Sequence, residues 1–180
     1  MKSILLIYKT KTGFTKQYAD WIAEDILCKT VSFEKVKTCD INDHDVIIYG
    51  AGMHAGHILG INEFKKKVTG LLNKKVVIFA TGAAPHKDEI ITEIKKNNFT
   101  ENERESVMFF YFESGINYDK MGIADKTIMK IYSNVLKLIN NKSEIETGTS
   151  MAILTSYDHS SKENTKSLVT YLKELLNELD

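Results

Sequence analysis

The chain alternates between short apolar runs and longer amphipathic segments. Four of the runs predict strands, which cover residues 3–8, 45–50, 75–80 and 107–112. The runs at 3–8 and 45–50 are typical of central parallel strands buried on both faces. Residues 31–36 instead alternate between apolar and polar side chains, as Val31 and Phe33 show, and this pattern predicts an edge strand. The sequence therefore predicts five strands.

The segments between the runs carry apolar residues at helical spacing. The predicted helices cover residues 14–27, 61–72, 87–97, 123–138 and, after the capping box Ser160-Ser161-Lys162-Glu163, a last segment that ends near Leu179. Residues 38–45 are few and polar, so a helix there is brief or missing. Residues 140–158 are predicted to be an irregular connection.

This alternation predicts an α/β fold with a parallel sheet, right-handed crossovers and helices on both faces. With five strands and an edge-like second strand, the order 2-1-3-4-5 fits better than the order 3-2-1-4-5-6 of dinucleotide-binding folds. Ligands then bind beyond the carboxyl ends of the first and third strands. No repeat or linker interrupts the chain, so residues 1–180 are predicted to form one three-layer domain.

The loop after the first strand has the composition of an anion site. Thr10, Thr12 and Thr15 supply hydroxyl groups, and a helix N-terminus follows directly. Gly13 allows the backbone to approach the anion closely. The G-x-x-x-x-G-K-[ST] and G-x-G-x-x-G patterns of nucleotide loops are absent. We interpret the loop as a site for a phosphate monoester; the alternative is an ordinary strand-to-helix turn rich in capping residues.

The segment Thr10-Lys11-Thr12-Gly13-Phe14-Thr15 resembles the [ST]-x-T-G-x-T phosphate loop of flavodoxins. The resemblance implies a flavodoxin-like fold with FMN as cofactor, its 5′-phosphate bound by these six residues. It also implies that the loops after the third and fourth strands flank the flavin ring. The residues implied at the ring are Ala51, Gly52, Met53, His54, Thr81, Gly82, Ala83 and Ala84.

A second resemblance covers residues 113–121, which a lysine-rich helix follows. This stretch is similar to a segment in one flavodoxin branch, which includes the menaquinone-dependent protoporphyrinogen dehydrogenases. The resemblance implies a quinone or a porphyrinogen as a substrate.

The two implied ring loops, residues 51–57 and 81–86, contain no Trp, Tyr or Phe. Electron-carrying flavodoxins usually hold the ring between aromatic side chains and are strongly acidic as a family, whereas this chain has 24 acidic and 24 basic residues. Both differences favour an FMN oxidoreductase that exchanges electrons with a small diffusible substrate. The alternative is an electron carrier that docks on redox partner proteins and has no catalysis of its own.

Charge and cysteine content restrict the partners and the compartment. A formal net charge of zero argues against nucleic acid or an anionic membrane as the main partner. No stretch is long and apolar enough to span a membrane, and the N-terminus enters a strand without a signal peptide. Cys28 and Cys39 lack metal or redox spacing and are interpreted as free thiols. These features predict a cytoplasmic protein.

Histidines near the implied ring loops are the candidate proton donors. His54 and His57 follow the third strand, and His86 follows the fourth. Histidine is the side chain that most often donates or accepts a proton near neutral pH. The alternative for each is a solvent-exposed loop histidine. No carboxylate or cysteine joins them at ligand spacing, so no metal site is predicted.

Overall fold

The apolar runs form a parallel sheet. The structure is a computed structural model that describes residues 3–68, 74–138 and 154–178. Its parallel strands are β1 Ile4–Lys9, β2 Lys29–Ser32, β3 Val46–His54, β5 Lys75–Gly82 and β6 Met108–Glu113, with a short β4, His57–Ile58, between β3 and β5. The order is β2-β1-β3-β5-β6, which confirms the predicted order. β4 was not predicted: it pairs antiparallel with the end of β3.

The predicted bounds of the edge strand were wrong. β2 begins at Lys29 and ends at Ser32, and Val31 pairs with Ile7 of β1. A turn follows, in which the Val36 amide donates to the Ser32 carbonyl at 3.1 Å. Phe33 and Val36 are both buried. Part of the predicted alternating pattern therefore lies in a turn, in which Phe33 and Val36 pack into the core.

Helices connect the strands close to the predicted positions. They are α1 Phe14–Ile26, α2 Thr38–Asn42, α3 Ile61–Val68, α4 Asp88–Asn98, α5 Glu101–Ser106, α6 Ile123–Leu138 and α7 Lys166–Glu178. The predicted end of the third-strand helix, residues 69–72, lies outside the described residues. The last helix starts later than expected, because Ser161 caps a 3-10 turn, Lys162–Thr165, that precedes it.

α5 is a helix that the sequence analysis missed. Thr100 forms a capping box with Glu103: the Glu103 amide donates to Thr100 Oγ1 at 3.4 Å, and the Thr100 amide donates to Glu103 Oε2 at 2.8 Å. This pattern was readable as Thr-x-x-Glu in the sequence. The helix has only six residues, so it left little apolar periodicity to detect.

Two apolar cores cover the two faces of the sheet. Both lie within the compact unit formed by the described residues of Met1–Ser114 and Ser160–Asp180. One face packs against α1 and α7 through Leu6, Tyr18, Ile22, Phe79 and Leu172. The other packs against α2, α3 and α4 through Leu5, Ile41, Tyr49, Phe64 and Ile94. Helices on both faces of a parallel sheet confirm the predicted layered architecture.

Tyr18 joins α1 to the start of the last helical segment and to the end of β6. Its ring is fully buried, and its hydroxyl donates to the Glu113 carbonyl. The same oxygen accepts from Asn164 Nδ2 at 3.0 Å and from the Ser161 amide at 3.3 Å. One side chain therefore satisfies three polar groups from separate parts of the chain.

Tyr18→Phe is expected to lower the free energy of unfolding by about 1–3 kcal/mol, because it leaves three partly buried polar groups without their partner. Urea denaturation measures the change. Tyr171→Phe is the matched control, since the Tyr171 ring packs against Phe110 and its hydroxyl has no hydrogen-bond partner among the described residues. Equal losses for the two variants would show that the Tyr18 hydroxyl does not stabilise the fold.

The described residues of Gly115–His159 form a second compact unit. Its strands β7, Gly115–Ile116, and β8, Tyr157–Asp158, pair antiparallel, and α6 occupies the helix predicted there. A Cβ atom on Gly115 would lie 2.0 Å from the Tyr157 carbonyl oxygen, so this pairing requires glycine. The predicted connection 140–158 lies outside the described residues as far as 153, and its last residues form β8.

Candidate functional site

The loop between β1 and α1 reverses through a left-handed glycine. Gly13 has φ 104° and ψ −23° and is the N-cap of α1. Its amide donates to Thr10 Oγ1 at 3.0 Å, and its carbonyl accepts from the Gln17 amide at 3.1 Å. Thr10 thus fixes the loop, and Gly13 supplies a backbone conformation that other residues rarely adopt.

The N-terminus of α1 has no negative group of its own. No side chain caps it, and its first turn contains no acidic residue. The first turns of α2, α4 and α5 contain Asp40, Asp88 and Glu103 among their acidic residues. The amides of the first turn of a helix lack intrahelical partners and carry a partial positive charge. This end of α1 therefore suits an external anion.

The lysines of this region are engaged differently. Lys16, in the first turn of α1, donates to Asp20 Oδ2 at 2.6 Å. That hydrogen bond raises the pKa of the Lys16 amine above its ordinary value. Lys11 lies on the loop and is exposed. Backbone amides and threonine hydroxyls are therefore the main groups that line this end of the helix, and they fit a phosphate monoester without a buried cation.

A threonine pair connects this loop to the end of β5. Thr15 and Thr81 are both buried, and their Oγ1 atoms lie 2.8 Å apart in a hydrogen bond. A Cβ atom on Gly52 would lie 3.5 Å from Thr15 Oγ1, so the end of β3 lies beside the same pair. The structure thus brings together predicted site residues from three strand ends. It also shows that Thr15 and Thr81 bond each other.

The segment after the third strand is not the open loop that was predicted over residues 51–57. β3 continues through His54 and turns back into β4 through Ala55 and Gly56, whose φ angles are 48° and 80°. Two central residues with positive φ form a type I′ hairpin turn. His54 therefore pairs with His57 across the hairpin, and both side chains are exposed.

The end of β5 lies close to the hairpin. A Cβ atom on Gly82 would lie 3.2 Å from Met53 Cγ and 2.9 Å from the Tyr111 hydroxyl oxygen. The Tyr111 hydroxyl donates to the Ala84 carbonyl at 2.8 Å. Glycine at position 82 thus permits Met53 and the loop after β5 to come into contact.

His86 is fixed at the far end of this loop. Its Nδ1 atom lies 2.9 Å from the Tyr111 carbonyl oxygen, and its amide donates to Glu113 Oε2 at 3.2 Å. A carbonyl oxygen only accepts hydrogen bonds, so the proton of neutral His86 lies on Nδ1. Nε2 is then the ring nitrogen that carries no proton in the neutral side chain.

Asn98 positions the hairpin, a role that the sequence pattern did not indicate. The side chain is buried at the end of α4. Its Oδ1 accepts from the Ile58 amide at 2.7 Å, and its Nδ2 donates to the carbonyls of Gly56 at 3.0 Å and Ile94 at 2.8 Å. One amide group therefore joins the turn, β4 and α4.

Asn98→Ala is expected to accelerate hydrogen exchange of the Ile58 amide by about tenfold or more, because a buried hydrogen bond of roughly 1–2 kcal/mol is lost. Exchange followed by NMR measures this rate. Asn97→Ala is the control: Asn97 is the preceding residue, it is exposed, and it has no hydrogen-bond partner among the described residues. If both variants exchange at the rate of the unaltered chain, Asn98 does not hold the hairpin.

Within the described ranges, no group of three or more His, Cys, Asp and Glu residues is arranged to hold a metal ion. None of the helices in that part of the chain has the length and apolar character that crossing a membrane requires. Cys28 and Cys39 are free thiols.

Comparison with known proteins places the sequence beside flavodoxins. The family model described as "Flavodoxin domain" matches residues 5–143. No curated protein matches the sequence. Three similar solved structures are a WrbA-like flavodoxin from Agrobacterium tumefaciens, a two-electron reduced flavodoxin from Megasphaera elsdenii and a rubredoxin oxygen:oxidoreductase from Desulfovibrio gigas.

These three structures resemble the chain at low sequence identity. The A. tumefaciens protein is 12% identical, with a TM-score of 0.48 over 69% of this chain and 87% of that one. The M. elsdenii flavodoxin is 18% identical, with a TM-score of 0.44 over 60% of this chain and 82% of that one. The D. gigas enzyme is 11% identical, with 0.41 over 86% of this chain and 35% of that one.

Proposed function

Because the chain belongs to the flavodoxin domain family, whose cofactor is FMN, we propose that it is an FMN-dependent oxidoreductase. Its proposed substrate is a small diffusible molecule. Quinones and porphyrinogens are the proposed substrates, which follows from the resemblance of residues 113–121 to the protoporphyrinogen dehydrogenase branch. The matched residues 5–143 include parts of both compact units. This supports our proposal that residues 1–180 act as one domain.

The β1–α1 loop is proposed to hold the FMN phosphate. Its hydroxyl groups come from Thr10, Thr12 and Thr15, and the uncapped amides of α1 supply further donors. A Cβ atom on Gly13 would meet no atom within 4 Å, so the space beside the loop is open to a ligand. When bound, FMN supplies the one- and two-electron chemistry, and the chain supplies binding and orientation.

The composition of the two predicted ring loops is the main reason for proposing an oxidoreductase. Residues 51–57 and 81–86 contain no Trp, Tyr or Phe, and Met53 and Gly82 are in near contact where the two segments meet. Stacked aromatic pairs contribute about 0.5–1.5 kcal/mol beyond area burial. Their replacement by small and flexible side chains leaves the flavin ring accessible to a second flat molecule.

Proton transfer at this site is proposed for the histidines. His54 and His57 are exposed on one face of the hairpin. His86 donates through Nδ1 to the Tyr111 carbonyl, which leaves Nε2 as the nitrogen that can face a ligand. The free thiols Cys28 and Cys39 agree with a proposed location in the reducing cytoplasm.

Anaerobic reoxidation tests this function. FMN-loaded protein is photoreduced and mixed either with 1,4-naphthoquinone or with ferricytochrome c, a basic redox protein. The quinone, which gains two electrons and two protons, is expected to reoxidise the protein faster than cytochrome c does. Because the chain has no net charge, the cytochrome c reaction should depend weakly on ionic strength. Rapid, strongly salt-dependent reaction with cytochrome c and slow reaction with the quinone would support the electron carrier instead.

A further inference from the structure

A small cavity lies beside the predicted ring loops. Its volume is about 250 Å³. The hairpin contributes Met53, the loop after β5 contributes Gly82, Ala83 and Ala84, and α4 contributes Glu93 and Asn97. Four of these residues are also the ones expected at the flavin ring. With the flavin ring held by these residues as proposed, a molecule in this cavity would lie beside the ring.

The lining of the cavity is apolar apart from a few groups on α4 and β6. Ile90 and Ile94 line it beside Met53 and the alanines. Most small-molecule sites are lined mainly by apolar side chains, and this surface suits a flat apolar ring. Pockets that bury drug-sized ligands measure roughly 300–1,000 Å³, so this one suits a one- or two-ring compound and is too small for a tetrapyrrole.

Glu93 sets the charge of this cavity. It is the charged residue among those that line it, and none of the described lining residues is Lys or Arg. The Glu93 carboxylate is exposed and makes no ion pair within the described part of the chain. Because it has no ion-pair partner there, its negative charge disfavours an anionic ligand.

We propose that this cavity binds the redox substrate as a flat, uncharged or cationic ring compound, and that Glu93 disfavours anionic ones. The inference rests on the proposed oxidoreductase function and narrows its substrates. Between the two classes proposed above, it selects the quinone, since porphyrinogens carry several carboxylates and four pyrrole rings. Glu93 acts as a specificity-determining residue and takes no part in electron transfer.

The test compares two acceptors that differ in charge: 1,4-naphthoquinone and its anionic 2-sulfonate. With FMN-loaded protein, Glu93→Gln is expected to lower the ratio of kcat/KM for the neutral acceptor to that for the sulfonate by about 3- to 10-fold at low salt. Salt near 0.5 M should abolish most of this change, because exposed charges are screened. Glu89→Gln, one turn earlier on α4 and outside the cavity, is the matched control and should change the ratio less than Glu93→Gln does.

A binding measurement separates this inference from the proposed function. Neutral naphthoquinone is titrated into oxidised, FMN-loaded protein and followed by NMR. The expected result is a set of amide chemical-shift changes centred on Ala84, Ile90 and Ile94. The sulfonate should cause smaller changes in the unaltered protein and larger ones in Glu93→Gln. Turnover accompanied by shifts elsewhere, or by an unchanged kcat/KM ratio in Glu93→Gln, would show that the cavity is not the substrate site, although the protein is an oxidoreductase. Binding in the cavity without turnover would contradict the oxidoreductase function and support the cavity as a ligand site.

Discussion

Replacing Gly13 with valine is expected to weaken FMN binding about 100-fold. Gly13 has φ 104°, a conformation that a β-branched residue strongly disfavours. In the Gly13→Val variant the loop would relax, and FMN would have to restore the conformation on binding. Strain of about 2–3 kcal/mol at one residue corresponds to roughly 30- to 150-fold in affinity. Quenching of FMN fluorescence by the apoprotein measures the dissociation constant.

Gly122→Val is the control for this substitution. Gly122 also has no atom within 4 Å of an added Cβ, and its φ lies outside the left-handed region. This variant should bind FMN within about twofold of the unaltered chain, since it adds the same side chain without backbone strain. Circular dichroism confirms that both variants fold. A folded Gly13→Val protein with native affinity would show that the β1–α1 loop does not bind the phosphate.

Replacing Gly50 with alanine is expected to lower the free energy of unfolding by about 3 kcal/mol or more. Gly50 pairs with Phe79 in the sheet, and an added Cβ would lie 2.0 Å from Phe79 Cζ and 2.3 Å from Cε1. The Phe79 ring is fully buried and packs against Phe112 at 5.3 Å between ring centroids. The ring therefore has little space into which it can move.

A double-mutant cycle isolates the cause of that loss. Phe79→Leu removes the ring that occupies the space above Gly50, at the cost of a cavity. The double variant Gly50→Ala/Phe79→Leu is expected to be at least about 1 kcal/mol more stable than the sum of the single losses predicts. Urea denaturation of the four proteins gives this coupling. Additive losses would mean that Gly50 is needed for a reason other than the Phe79 ring.

The central strands were predictable because burial on both faces leaves a simple pattern. β1, β3 and β5 are continuous apolar runs, and each gives alternate side chains to the two cores. A parallel sheet with helices between its strands has few possible orders. The edge strand was less predictable, since Phe33 is buried from a turn and mimics strand alternation.

The contacts that shape the site depend on long-range neighbours and left weaker signals. Ala55 adopts φ 48° in a hairpin turn where Asn or Gly is usual, so the sequence did not indicate the turn. Asn98 meets Ile58 across 40 residues of sequence. The threonines at 15 and 81 were each predicted at the cofactor, but only the structure shows that they bond each other.

The affinity of the apoprotein for FMN relative to riboflavin tests the account most directly. The two ligands share the flavin ring and differ in the 5′-phosphate, which is the group assigned to residues 10–15. Charge-assisted hydrogen bonds contribute about 1.5–3 kcal/mol each, so FMN should bind at least ~100-fold more tightly. Inorganic phosphate should compete with FMN in the same titration. Equal affinities for the two flavins, or no binding of either, would contradict the assignment of this loop as the phosphate site.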